Sequence, residues 1–505
     1  MSTTQKKLRK FLNLSLMLGA VHLSACAPLL QGKMVDPDLL PEMYQQRQGN
    51  VKGDQLREAS LNNTSETTWD LFFDDPHLVQ LIDIALDHNQ EIKMVMQDIQ
   101  MANNEIYART GEYAPFLSLK STAEVEKSAR YTRNGAVEAN TEMRPGEEFP
   151  DPLPNFMVGV FASWELDVWR RLRNAKDVAV FEYMATVEGK KFMVTQLVAE
   201  IANSYYELMA LDNKLKNMQD SIQIQKDVLQ IIRKLKEAAR ANELAVKRFE
   251  AEVQKNQSEI YKIKQEIVET ENKINFLLGR RPQPIVRSSD QFQSLAPKAV
   301  AAGLPSQLLS NRPDIKRAEH ELEAMDLDVQ VAKAKFYPSF GMNAGLGYQA
   351  FNPLYLVNTP QSITYSLSID MAMPLINKNA ITAEYQNANA RQIQAAYEYE
   401  RTILNAYREV SNQLARIENL QQNYTLKNEQ VKTLVRSIDI SGQLFKYARA
   451  DYMEVLLTQR EAIEARMELI ETRQAQLGAM VDLYQALGGG WKEKDEPGID
   501  IQPLP

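Results

Sequence analysis

Two kinds of apolar spacing alternate along this chain. The stretches between Pro154 and Pro282 and between Pro374 and Pro497 contain no proline and are rich in Glu, Lys, Gln, Leu and Ala. Apolar residues recur there at helical spacing: Val194, Leu197, Val198 and Ile201 in the first, Val455, Ile463, Met467 and Ile470 in the second. This predicts helices far longer than the ~10–14 residues usual in globular domains, locally of coiled-coil character.

Ahead of each helical stretch the period falls to two. From Ser339 to Tyr348, Phe340, Met342, Ala344, Leu346 and Tyr348 alternate with Ser339, Gly341, Asn343, Gly345 and Gly347. From Ser362 to Met373, Ile363, Tyr365, Leu367, Ile369, Met371 and Met373 alternate with Ser362, Thr364, Ser366, Ser368 and Asp370. In the first half Val158, Val160, Ala162, Trp164, Leu166 and Val168 oppose Gly159, Ser163, Glu165 and Asp167, with Phe161 breaking the rule. Leu117, Leu119, Ala123 and Val125 oppose Ser118, Lys120, Thr122, Glu124 and Glu126. Each run is near the ~9–11 residues of a transmembrane strand. Lipid outside and water inside would demand such faces, and so would an ordinary half-buried soluble sheet.

The halves repeat. Tyr113-Ala-Pro115 answers Tyr337-Pro338, Asp167 after the second strand answers Asp370 after the fourth, and Asn203-Ser-Tyr205 answers Asn405-Ala-Tyr407. The unit reads as helix, strand, strand, long helix, turn, helix. Four strands cannot close a membrane barrel, since the smallest have about eight. A lone sheet in lipid would leave its edge N–H and C=O groups unpaired. Membrane strands would therefore require several chains to share one barrel, and cyclic oligomers of two or more satisfy the strand number.

Charge narrows the classes further. The 505 residues carry 58 Lys+Arg against 66 Asp+Glu, net −8, which argues against nucleic acid or anionic lipid as the main partner. Only four histidines occur, and no Cys/His set has metal-ligand spacing. With no triad or nucleotide loop either, neither a metal, a cofactor nor catalysis is expected. Gly488-Gly489-Gly490 follows a helix instead of opening one, so it reads as a helix stop and not a phosphate loop.

Cys26 is the single cysteine. Lys6, Lys7, Arg9 and Lys10, then the apolar run Phe11 to Leu23, then Ser24-Ala25-Cys26, have the order of a secretory signal. The apolar run of ~13 residues is too short to span a bilayer. Leu23-Ser24-Ala25-Cys26 looks like a bacterial lipobox, which would make Cys26 the acylated N-terminus of a mature chain outside the cytoplasm. The other reading is a short apolar helix with a buried thiol.

Several motifs together resemble the TolC family of outer-membrane channels, in its lipoprotein branch serving resistance-nodulation-division (RND) efflux pumps. They are Gly303-Leu-Pro-Ser306 with Asn311-Arg-Pro-Asp-Ile315, Ala332-Lys-Ala-Lys335 with Tyr337-Pro-Ser339, Trp164-Glu-Leu-Asp167-Val-Trp169 with Arg171 and Arg173, and Leu483-Tyr-Gln-Ala-Leu-Gly-Gly-Gly-Trp491. Phe72-Phe73-Asp-Asp75-Pro76 and Val198-Ala-Glu-Ile-Ala-Asn203-Ser-Tyr205 complete the set, which runs from the lipobox nearly to the C-terminus.

The resemblance implies a mixed α and β membrane protein. It would be a homotrimer sharing a 12-stranded outer-membrane β-barrel, four strands per chain, continued by a long periplasmic α-helical barrel. The implied order is a signal peptide over 1–25, a lipidated extended segment over 26–75, a helix over 76–113, a β-hairpin over 114–169, and a long helical hairpin over 170–280. An equatorial linker follows over 281–306, then a helix over 307–336, a β-hairpin over 337–374, a helical hairpin over 375–487 and an equatorial tail over 488–505. The protein would be a passive duct in the outer membrane, contacting its lipid and passing small molecules from an inner-membrane RND pump through a periplasmic adaptor, the membrane fusion protein.

Implied site residues follow. The helix turns at Arg240, Ala241, Asn242, Glu243 and at Arg449, Ala450, Asp451, Tyr452 would meet the adaptor. The family carries glycine where Ala241 and Ala450 stand, so either the turn differs or Asn242 and Asp451 take the left-handed position. Solvated hairpins without a partner are the plainer account. Asp439 with Arg436 is the candidate periplasmic gate, or else a routine surface pair. Asn343, Ser366, Ser368 and Asp370 would face the pore. Arg170, Arg171 and Arg173 would mark the membrane boundary. An exit channel for secreted protein has the same fold, and a soluble periplasmic coiled-coil scaffold would lack membrane strands.

Overall fold

The computed structural model describes residues 27–36, 39–41, 43–44, 63–447 and 449–492. Seven helices of more than two turns are found among them: α1 (Pro76–His88), α2 (Gln90–Glu112), α3 (Arg171–Glu237), α4 (Glu243–Leu277), α5 (Pro313–Ala334), α6 (Asn379–Lys446) and α7 (Tyr452–Ala486). Four long strands, β1 (Phe116–Glu126), β2 (Leu153–Leu166), β3 (Ser339–Ala350) and β4 (Ile363–Ala372), form one antiparallel sheet in the order β1-β2-β3-β4. A short ribbon, Glu142–Arg144 with Glu147–Glu148, lies in the β1–β2 connection. Among the described residues no helix is long and apolar enough to cross a membrane.

The proline-free stretches are the long helices. α3 runs 67 residues and α6 runs 68, about 100 Å each at ~1.5 Å per residue. The expected single helix over 76–113 is two helices. Asn89 breaks it: its side-chain oxygen accepts from Glu91 N at 2.8 Å and Ile92 N at 3.1 Å, while its amide donates to Leu277 O at 2.9 Å. A buried Asn capping a new helix and reaching a carbonyl 188 residues away is a tertiary bond, and local spacing carries no trace of it.

The main core sits at mid-height of the long helices. Ile201, Tyr205, Leu208 and Met209 of α3 meet Leu78 and Ile82 of α1, Ile274 of α4, and Leu477 and Tyr484 of α7. Tyr484 stacks on Phe72 at 4.0 Å and donates to Thr67 O at 2.6 Å. Tyr205 donates to Asp75 Oδ2 at 2.7 Å; burial, then this bond and the Asp75 charge, push its hydroxyl pKa up. Gly488 ends the C-terminal helical run at φ +85°, where an added Cβ would lie 2.5 Å from Asn311 O. Gly489 N closes the turn on Tyr484 O at 3.0 Å.

The Asn311-Arg-Pro-Asp-Ile315 motif closes the same level. Arg312 is 4 % exposed and donates to Asp314 at 2.6 and 2.9 Å, to Glu409 Oε2 at 2.8 Å and to Ala486 O at 2.8 Å. It joins α5, α6 and the end of α7.

Candidate functional site

The register sorts the sheet into two faces. Rows such as Leu119–Val160–Leu346–Tyr365 and Leu117–Ala162–Ala344–Leu367 are apolar across all four strands. Leu117, Leu119, Leu346, Tyr365, Leu367, Ile369 and Met371 are 60–81 % exposed. A half-buried soluble sheet would cover this face, and none of the described residues does. The opposite face carries Ser163–Asn343–Ser368 and Glu165–Gly341–Asp370 as rows. Asn343, Ser366, Ser368 and Asp370 thus share one face; Asn343 donates to Asp370 Oδ2 at 3.0 Å and Ser368 reaches the same oxygen at 3.5 Å.

Asp370 does not answer Asp167. It lies inside β4, whereas Asp167 follows β2 and caps α3, accepting from Leu172 N and Arg173 N at 3.0 Å each. Arg173 also binds Asp167, at 3.2 Å, and Arg171 grips Glu165 through both carboxylate oxygens at 2.7 and 2.8 Å. Arg170 holds φ +60° at the first bend. The three arginines therefore build the strand-to-helix corner itself.

Two tryptophans complete that level. Trp164 donates to Tyr113 O at 2.9 Å, and Trp169 donates to Pro338 O at 2.7 Å while stacking on Tyr337 at 4.9 Å. The sequence motif contains both residues but does not disclose these bonds. The signal is present: amphipathic Trp and Tyr rings gathered at one end of membrane-length strands are how an aromatic belt reads.

The two helix turns come together in one tip. Ala241, Phe445, Tyr452 and Leu456 pack on a cluster of Leu229, Ile232, Ala245, Val246, Phe249 and Val253. Of the two accounts the sequence leaves open, the turn differs. Neither Asn242 (φ −99°) nor Asp451 (φ −82°) is left-handed. Both are N-caps: Asn242 accepts from Ala245 N at 2.9 Å, and Asp451 from Tyr452 N at 2.6 Å. In the first turn Ala239 takes φ +57°, and Arg240 N bonds back to Leu235 O at 2.8 Å. The second turn closes in the same way, Arg449 N on Leu444 O at 2.8 Å.

Ala241 and Tyr452 thus lie in the seam between hairpins, while Arg240, Asn242, Glu243, Arg449 and Asp451 are exposed. Glu243 pairs with Lys236, whose hydrogen bond holds its carboxyl below the usual pKa range. Among the described residues neither Arg240 nor Arg449 has an ion-pair partner. Arg436 and Asp439 lie exposed on α6, and the routine i,i+3 pair between them does not form within the protomer.

Cys26 lies outside the described residues. The segment just after it runs along α6. Ala27 and Leu30 pack beside Phe336, Tyr385 and Ala388, directly below the sheet. Gln392 clamps the Lys33 backbone with bonds of 3.2 and 3.1 Å, and Lys33 pairs with Glu400. Among the described residues no group of acidic, His or Cys side chains is arranged to hold a metal ion.

Known proteins share this arrangement. Residues 81–280 and 304–489 match the family described as outer membrane efflux protein. The cation efflux system protein CusC of Escherichia coli O6:H1 is 27 % identical over 468 residues, 92 % of this chain and 97 % of that protein. The solvent efflux pump outer membrane protein SrpC of Pseudomonas putida is 26 % identical over 427 residues, 83 % and 87 % of the two chains. The MtrE outer membrane channel of Neisseria gonorrhoeae has the same fold, with a TM-score of 0.78 at 21 % identity over 92 % of this chain and 99 % of that one. Two-faced strands set on very long paired helices, in a chain matched through both of its halves, belong to one family: this chain is an outer membrane efflux protein.

Proposed function

We propose that three copies close one barrel of twelve strands, and that the chain is the passive outer-membrane duct of a tripartite RND-type pump. One observation carries this: β1 and β4 are open edges of a sheet whose apolar face is uncovered. An even strand count lets β4 of one copy pair antiparallel with β1 of the next, all the way round. Closure removes the edges, turns the apolar face to lipid and leaves Asn343, Ser366, Ser368 and Asp370 on the water-filled side.

The helices α3 and α6 then continue the duct about 100 Å into the periplasm. Their shared tip docks the periplasmic adaptor, which joins it to the inner-membrane pump. Arg436 and Asp439, which form no ion pair among the described residues, gate the periplasmic end across copies. Cys26 is acylated in the outer membrane, an assignment supported by Ala27 and Leu30 lying just below the strands. The cargo is small molecules.

A disulfide scan tests the barrel. Cysteines placed on β1 around Ser118 and on β4 around Ser366 stand three strands apart in one copy, about 14 Å at ~4.8 Å per strand, beyond the ~7 Å a disulfide spans. Any bond therefore joins two copies. A covalent ladder ending at three supports the reading. Monomers at every pair tested, in outer-membrane preparations, would overturn it.

A further inference from the structure

Phe161 breaks the alternation of β2 and stands on the polar face, in the row Ser118–Phe161–Gly345–Ser366. The neighbouring row, Lys120–Gly159–Gly347–Thr364, is also built of small residues beside one lysine. An aromatic ring on such a wall could project into the space before the sheet. It does not. A Cβ built on Gly345 would fall 2.8 Å from both Cδ1 and Cε1 of Phe161, and 2.9 Å from Ser366 Oγ. The Cδ1–Cε1 edge of the ring therefore occupies the space over Gly345, with Lys120 Nζ 5.4 Å from the ring centroid.

Gly345 is not among the glycines with positive φ. Backbone conformation gives no reason for a glycine there; the space under the ring does. Real Cβ atoms essentially never approach other heavy atoms within 3.0 Å, so a side chain at Gly345 must displace the ring from the space it now fills.

We infer that Phe161 sets the bore of the strand-built part of the channel, and that Gly345 is a positioning residue that keeps this bore wide by giving the ring a floor. The inference rests on the reading above that the polar face lines the lumen. It concerns which cargo passes: three rings at one level lie along the wall in the native protein and would narrow the lumen if raised.

Strand direction supplies the test. β3 runs from its helix side at Ser339 outward to Ala350, so Asn343 lies on the helix side of the Gly345 level. A reagent entering from outside must pass Phe161 to reach it. The full-length chain carrying Asn343→Cys is treated from outside with water-soluble thiol reagents of graded size, and the labelled peptide is mapped by mass. In Gly345→Ala the rate with the largest reagents falls while the smallest react unchanged. In Phe161→Ala the size limit rises, and the Gly345→Ala/Phe161→Ala double variant behaves like Phe161→Ala. The double variant separates a raised ring from a misfolded sheet, and SDS-resistant trimers are scored in every case. An identical size limit in all variants, with Asn343→Cys still reactive to small reagents, overturns the inference alone. If Asn343→Cys resists even the smallest reagent in an assembled trimer, the polar face is not the lumen and both readings fall.

Discussion

Trp169 donates its indole N–H to the carbonyl of Pro338, 2.7 Å away, and so ties the corner between β2 and α3 to the corner between α5 and β3. The two halves of the internal repeat meet there. The same ring lies on Tyr337, the residue before Pro338. The bond adds a side-chain tie at a level where the β2–β3 ladder and the packing of α5 on α3 already join the two halves.

Trp169→Phe should keep most of the stacking and lose the hydrogen bond. Pro338 is buried, so its carbonyl is left with a desolvation cost of about 1–3 kcal/mol. The expected result is a lower temperature of dissociation for the proposed three-copy barrel, with unchanged β content. Dissociation at the wild-type temperature would mean that the corner is held by the strands alone.

Ala239 at φ +57° is strained, because a left-handed L-residue costs about 1–2 kcal/mol. Ala239→Gly should therefore stabilise the turn by about 1 kcal/mol. Asn242→Ala removes an N-cap and should destabilise it by about 1 kcal/mol. Hydrogen exchange of the amides of Arg240 to Val246 reads both locally: protection rises in the first variant and falls in the second. Movement of both in the same direction would contradict the assigned geometry.

Period explains what was legible in the sequence. Strand faces and long helices repeat every two or 3.6 residues, so Asn343 and Ser366 fall on one face whether or not the partner strands are known. What depended on one turn or one distant partner was not legible. The left-handed residue, Ala239, is fixed by counting back from Arg240 to Leu235 across the last turn of α3, whereas motif alignment puts the family's glycine at Ala241, two residues further on. The break at Asn89 needs Leu277, and the Trp169 bond needs Pro338. Asp370 was matched to Asp167 by spacing, yet only the register shows that one lies in a strand and the other caps a helix.

Arg312 should be the costliest charged residue to remove at the mid-height girdle. Arg312→Met leaves Asp314 and Glu409 without their shared counter-charge and Ala486 O without a donor. Breaking a buried pair from one side costs about 3–5 kcal/mol, and Glu409 is partly exposed, which favours the lower end. Arg312→Lys should rescue little, since one ammonium cannot reproduce the bidentate grip on Asp314. Folded trimer yield and protease resistance of the α6–α7 hairpin measure this. Wild-type behaviour of Arg312→Met would show that the apolar cluster around Ile403 and Leu483 suffices.

Labelling of introduced cysteines, mapped by peptide apart from Cys26, should separate the two sheet faces. Probes at Asn343, Ser366 and Ser368 should react with water-soluble reagents, and probes at Leu346, Leu367 and Ile369 only with lipid-soluble ones. The two sets interleave along the same strands, so a slip of one residue exchanges them completely. Equal aqueous labelling of both sets would return the sheet to solvent and remove the membrane assignment of the strands.

The exposed guanidinium groups of Arg240 and Arg449 sit at the far end of α3 and α6, about 100 Å from the strands. Lys236 and Lys247 at the same tip have Glu243 as partner, and Arg233 has Glu250. Arg240 and Arg449 have no such partner among the described residues, so reversing them leaves every internal ion pair of the tip intact. Nothing in their packing resists the change, because the apolar seam is made by Ala241, Phe445 and Tyr452. Exposed charges are screened and individually weak, so Arg240→Glu or Arg449→Glu alone should reduce efflux only modestly. In a trimer the pair places six reversed charges around one rim, and the double variant should lose efflux and adaptor cross-linking while trimer yield and thermal stability stay at wild type. Normal export together with wild-type cross-linking in the double variant would move the adaptor's docking site away from these turns.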